Sequence, residues 1–139
     1  MVYVRLRSFI WNDPYAIILN QTHDRHLTRE RRIALTKRDK AIAKEFKKKL
    51  LEITKIIDFR VFGSRARGDA DEYSDMDVFL EVESIDKELK DRILDIAWQV
   101  GFDNHMMISP VIFTKEELLD TPLRSSPIVA NVNTEGIKI

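Results

Sequence analysis

The chain has 139 residues, with 23 Lys and Arg against 23 Asp and Glu and no cysteine; that is enough for one domain with one core, and it excludes disulfides and thiolate metal sites and suits a reducing, cytoplasmic compartment. No apolar run approaches the ~20 residues of a membrane span, and the opening MVYVRLRSFIWNDPY lacks the continuous apolar core and small-residue cleavage site of a signal peptide, so a soluble globular protein is expected. The balanced charge is segregated: residues 1–60 carry 15 basic and 7 acidic side chains and residues 61–139 carry 8 and 16, which points to a basic half that is a solvated helix or a nucleic-acid contact, beside an acidic half suited to cations.

Residues 1–35 read as an N-terminal extension or a pair of added strands, VYVRLR and YAIIL, followed by the polar stretch NQTHDRHLTRERR. Thr36 is expected to cap a helix, with Asp39 three residues on. Ile42, Phe46, Leu50, Ile53 and Ile57 then recur at spacings of three and four, which predicts an amphipathic helix to about Asp58. FRVF is read as a short strand ending at Gly63, and SDMDVFLEV as a second strand after a polar loop. Ser84 is expected to cap a helix with Leu89, Ile93, Ile96, Ala97 and Val100 on one face and Gly101 just past its end. MMISPVIF is a third strand, and Thr114 with Glu117 forms a capping box for a short helix. Ser126 and Pro127 open a last helix that stops at Gly136, and IKI reads as a final strand. The order predicts an α/β (α+β) fold over residues 36–139, a small mixed β-sheet flanked by helices.

The chemistry concentrates in VFGSRARGDADEYSDMDVFLE, residues 61–81. Gly63, directly after a strand, lets the backbone turn sharply and approach a ligand closely. Ser64 follows where a short helix can start. Its hydroxyl and the neighbouring N–H groups suit a phosphate oxygen, and Arg65 and Arg67 add positive charge. Many Gly-Ser turns merely turn the chain. Residues two apart on a strand share a face, so Asp75 and Asp77 are expected side by side while Met76, Val78 and Leu80 face a core. Like charges about 7 Å apart at Cα repel each other, and aspartate is a poor strand former. A divalent cation removes the repulsion, and Mg2+ commonly takes one or two carboxylates together with substrate phosphates. Solvent-facing positions on an edge strand are the alternative reading.

Gly63-Ser64, ten intervening residues and Asp75-x-Asp77 between apolar flanks together resemble the signature of the nucleotidyltransferases related to DNA polymerase β. GSRARGDADEYSDMDVFLE is similar in particular to the minimal nucleotidyltransferase family. ISPVIFTKEEL and SPIVANVNTEGI are looser matches, and residues 37–139 carry the resemblance. It implies the nucleotidyltransferase fold, with Gly63, Ser64 and Arg65 holding the triphosphate of ATP or another nucleoside triphosphate. It implies that Asp75 and Asp77 are the catalytic acids and bind Mg2+. A nucleotidyl group, often AMP, would pass to a hydroxyl on a small molecule, RNA or protein. Such proteins often pair with a HEPN-domain protein on a separate chain as a toxin–antitoxin module; a homo-oligomer is a further expectation, and a membrane partner is not. The alternative is a catalytically weakened, nucleotide-binding module that neutralises its partner by binding.

The resemblance also marks a departure. The family supplies a third carboxylate just before the ISPV-like segment, where this chain has Met107, and methionine does not ligate a hard cation. Met106 and Ile108 on either side are apolar too. Glu81 shares the face of Asp77 but lies about 13 Å along an extended strand. Asp103 and His105 are the nearby substitutes, although imidazole is a poor Mg2+ ligand. His23 and His26 are read as surface residues rather than metal ligands. Trp98 is read as core or interface. The basic helix offers RNA a charged face without aromatics.

Overall fold

In the computed structural model, which describes residues 35–139, Thr36 accepts the Asp39 N–H at 3.0 Å and so caps helix α1, Lys37–Leu51. Ile42, Ala43, Phe46 and Leu50 form its buried stripe. The helix stops at Leu51, before the expected Asp58, because the isoleucines that continue its spacing serve other elements. Ile53 and Ile56 pack against the core from outside α1, and Ile56 opens strand β1, Ile56–Phe62. Branching at Cβ suits Ile56 and Ile57 to a strand. The strands expected near the N-terminus, together with His23 and His26, lie outside the described residues.

β1 runs directly into a short helix, α2 (Gly63–Arg67), and a polar loop leads to strand β2, Met76–Val82. Helix α3, Lys87–Asp103, is capped by Asp86, whose Oδ1 accepts the Leu89 N–H at 2.7 Å, and not by Ser84. It also runs through Gly101 rather than stopping there. That glycine serves close approach: a Cβ on it would lie 2.3 Å from the Met106 carbonyl oxygen. Strand β3 (Ile108–Thr114), helix α4 (Lys115–Asp120), a 3-10 turn (Pro122–Ser125), helix α5 (Pro127–Glu135) and strand β4 (Ile137–Lys138) complete the fold. The expected Thr114–Glu117 capping box and the Ser126 cap are both present.

The sheet order is β3-β2-β1-β4. β1 is antiparallel to β2 and β4, and β2 is parallel to β3. The mixed sheet flanked by helices is therefore the expected α/β architecture. One face of β2 sends Met76, Val78, Leu80 and Val82 into the main core with Phe46 and Leu50 of α1 and Ile93 and Val100 of α3. Each such side chain contributes roughly 1.5–3 kcal/mol when fully buried. On the other face a smaller cluster of Phe62, Phe79, Phe113, Val129 and Val132 seats α5 against the sheet. Asp77 and Phe79 share that second face by strand alternation. Among the described residues no helix is long and apolar enough to cross a membrane.

Candidate active site

Strand β1 delivers the chain to Gly63, whose φ of +73° is the left-handed value that lets the strand turn at once into α2. The turn rests on β2. Phe62 is the register partner of Asp77, and a Cβ on Gly63 would stand 2.3 Å from Asp77 Oδ2. Asp75 lies one residue before β2 and is exposed, while Asp77 is half-buried. Ser109 on β3 is the register partner of Asp77 and donates its hydroxyl to Asp75 Oδ2 at 3.4 Å. Gly63, Asp75 and Asp77 thus meet at one end of three adjacent strands. Ser64 is half-buried, and its carbonyl accepts the Gly68 and Asp69 N–H groups at 2.9 and 3.1 Å.

Arg65, expected beside a nucleotide, is turned into the domain. Its side chain is buried, and Nη1 pairs with Asp39 Oδ1 at 3.1 Å. Nε and Nη2 donate to the Ser74 carbonyl at 3.0 and 2.6 Å, and Nη2 also reaches the Asp71 carbonyl at 3.4 Å. A buried guanidinium needs a counter-charge and filled hydrogen bonds, and α1 and the loop supply them. That loop is further braced by Asp71, which accepts the Tyr73 N–H and the Ser74 hydroxyl, each at 2.9 Å. Arg65 therefore fixes the loop that sets Asp75.

Glu135, which the sequence did not single out, holds the other side of the turn. Its Oε1 accepts the Gly63 N–H at 3.1 Å. Arg67 Nη1 donates to Oε1 at 3.0 Å and to Oε2 at 3.2 Å, and Arg67 also meets Asp69 at 3.4 Å. The Gly63–Glu135 contact spans 72 residues of chain, so no local spacing signals it. β4, pairing with β1, is what brings the end of α5 to the turn.

Met107 stands where the third acid was expected. Its carbonyl accepts the Met76 N–H at 2.8 Å, which fixes it next to Asp75 on the neighbouring strand. Met107 as a whole is 61% exposed. Glu81 pairs in register with Asp58, toward the far end of β2. His105, Met107, Trp98 and Phe102 line a groove along α3. Trp98 is exposed and stacks on Phe102 with ring centroids 5.2 Å apart, so it is not a core residue. Among the described residues no group of three or more His, Cys, Asp or Glu is arranged to hold a metal ion. Two carboxylates remain, a donor set that fits a hard cation sharing its coordination with phosphate oxygens and water.

The Asp77 carboxyl titrates above its ordinary value. Burial is the main cause, and repulsion from Asp75 adds to it while Arg67 opposes it. Folding thus favours the protonated acid. Its ionisation works against folding, with a penalty absent below the ordinary carboxylate value of about 3.9 and growing as pH rises through the raised value. In metal-free buffer the melting temperature of wild type relative to Asp77→Asn should fall as pH rises above about 4. A difference constant with pH would remove this account of the charge.

The sequence model of the nucleotidyltransferase domain family matches residues 41–128, and the chain belongs to that family. A candidate protein adenylyltransferase of Methanocaldococcus jannaschii is 45% identical over 78 residues, 53% of this chain and 78% of that one. Among solved structures, a toxin–antitoxin determined with AMP-PNP is similar at a TM-score of 0.47 and 22% identity, over 67% of this chain and 68% of the other. A mutant of the toxin–antitoxin MntA-HpeT has the same score at 20% identity, over 74% and 72%. A candidate nucleotidyltransferase from Sulfolobus solfataricus scores 0.41 at 16% identity, over 81% and 85%.

Proposed function

We propose that the chain binds a nucleoside triphosphate, ATP first among them, and transfers its nucleotidyl group to a hydroxyl, with residues 36–139 as the catalytic domain and 1–35 as an addition to it. Gly63 and Ser64 lie along the triphosphate, and Asp75 and Asp77 are the ligands of Mg2+. The observation that carries the reading is the seating of the Gly63 turn directly on Asp77, which puts a close-approach backbone beside an acid pair. In the reaction an acceptor oxygen bonds to the α-phosphorus, the bond from that phosphorus to the pyrophosphate oxygen breaks, and the hydroxyl proton passes to solvent. Bound Mg2+ would neutralise phosphate charge and align the two oxygens. Gly63 admits the phosphate chain, Arg65 holds the Asp75 loop still, and Ser109 orients Asp75. The similarity to a candidate protein adenylyltransferase favours AMP as the group and a protein hydroxyl as the acceptor.

Titration calorimetry with Mg2+·ATP tests this. Asp75→Asn and Asp77→Asn should each bind at least roughly tenfold more weakly, the loss expected when about 1.4 kcal/mol of metal ligation is removed. Equal affinity in wild type and both variants would sink the metal role.

A second reading is favoured by Met107. With an exposed methionine at the third position, the chain is a weak transferase that acts by binding a partner, for which a HEPN-domain protein on a separate chain is the leading candidate. Exposed Leu94, Trp98 and Phe102 recur every four residues along α3 and give such a partner an apolar face next to the site.

A further inference from the structure

Glu135 occupies ground suited to an anion. Its carboxylate takes the Gly63 N–H and both of its oxygens receive Arg67 Nη1. Gly63 is seated on Asp77, so through the Gly63 N–H the Glu135 carboxylate is held beside the acid pair. The Arg67 and Glu135 side chains are 47% and 18% exposed, so the pair lies at the rim of the site, where water screens it and holds its value low. Phosphate oxygens match the guanidinium fork as a carboxylate does, and a triphosphate brings more negative charge than the single carboxylate it would replace. The backbone around Glu135 is anchored by the pairing of Val61 with Ile137 and Arg60 with Lys138, so the side chain can leave without the helix moving.

We propose that Glu135 is a built-in competitor for the polyphosphate, giving Arg67 up to it as its carboxylate is exchanged for phosphate oxygens when the nucleotide loads. The inference rests on the nucleotide-binding reading above. Glu135 then satisfies the donors of the free protein and sets a threshold for entry. A ligand passes the threshold when it brings a cation for Asp75 and Asp77 and an anion for Arg67 together. Mg2+-bound triphosphate does so, and a lone phosphate does not.

The test titrates wild type, Glu135→Ala, Glu135→Gln, Arg67→Ala and Asp77→Asn with Mg2+·ATP and with Mg2+·tripolyphosphate by calorimetry, using thermal unfolding to confirm that each variant is folded. Glu135→Ala should bind tripolyphosphate about five- to tenfold more tightly than wild type, with Glu135→Gln in between and Arg67→Ala at least tenfold weaker. In wild type the Gly63 amide resonance should shift as tripolyphosphate is added. Weaker binding by folded Glu135→Ala would make Glu135 a support for Arg67 and overturn the exchange. Unchanged binding by Arg67→Ala would overturn it too. Asp77-dependent binding of Mg2+·ATP by wild type, without a gain in Glu135→Ala, refutes this inference alone. A wild type that binds neither ligand refutes the nucleotide reading along with it.

Discussion

Gly63→Ala is expected to lower the melting temperature by roughly 10 °C or more and to remove divalent-cation binding at the same time. Two costs combine at this position. A side chain at a left-handed φ costs about 1–2 kcal/mol, and φ here is +73°. The new methyl would also meet Asp77 Oδ2 at 2.3 Å, and relieving such a clash costs typically 1–3 kcal/mol. For a domain of about 100 residues each kcal/mol moves the midpoint by about 4–8 °C. Relief by rotating Asp77 would take one carboxylate oxygen away from the site. Scanning calorimetry with and without Mg2+ separates the effects: wild type should gain stability from the ion and the alanine variant should not. An alanine variant that melts with wild type and retains the Mg2+ shift would show that the turn and the acid merely happen to be neighbours.

Met107→Asp is expected to raise transfer from labelled ATP by tenfold or more, since each 1.4 kcal/mol taken from the barrier is about a factor of ten. The backbone there is held by the Met76 N–H on the Met107 carbonyl, so the substitution leaves the strand in place. The residue is largely exposed, so a charge can be introduced without burial. The new carboxylate would stand on the strand next to Asp75, where a third acid helps to set the metal on the nucleophile side. Wild type should be slow in the same assay, and Asp103→Asn and His105→Ala should match it. A fast wild type that loses its rate on either of those two substitutions would mean that the third ligand has been relocated and that Met107 is a bystander. A fast wild type indifferent to both would mean that two acids suffice or that a partner brings the third.

How far the sequence could be read depended on how local each determinant is. Thr114 with Glu117 and the apolar stripe of α1 are patterns within one helix, and both are found in the structure. The end of α1 was misplaced because Ile53 and Ile57 keep helical spacing whether or not the chain remains helical. Gly101 was misread because a glycine that stops a helix and one that lets another backbone approach look the same in sequence. That the Gly63 turn and the acids of Asp75-x-Asp77 serve one site was legible only through the family signature they share; the seating of Gly63 on Asp77 itself is set by the pairing of β1 with β2. The fate of Arg65 was not legible: whether an arginine two residues past a turn faces a ligand or the interior depends on Asp39, 26 residues away. Glu135 was invisible for the same reason on a longer scale, and a contact set by the pairing of the last strand has no signature before the fold is known.

β2 is an interior strand, hydrogen-bonded to β1 on one edge and β3 on the other. Asp77 is carried by that strand, and Asp75 by the last residue of the braced loop that leads into it. Strands held on both sides tend to exchange their amide protons when the whole domain opens, and not by fraying. The placement of Asp77, and of the strand start that Asp75 adjoins, is therefore tied to the survival of the domain. A substitution that weakens the core beneath Met76, Val78 or Leu80 shortens the lifetime of the folded chain while leaving the acids correctly spaced in the molecules that remain folded. Activity per folded molecule would then hold steady as abundance falls. In a cell such a variant would be lost through turnover, with no damage to its chemistry.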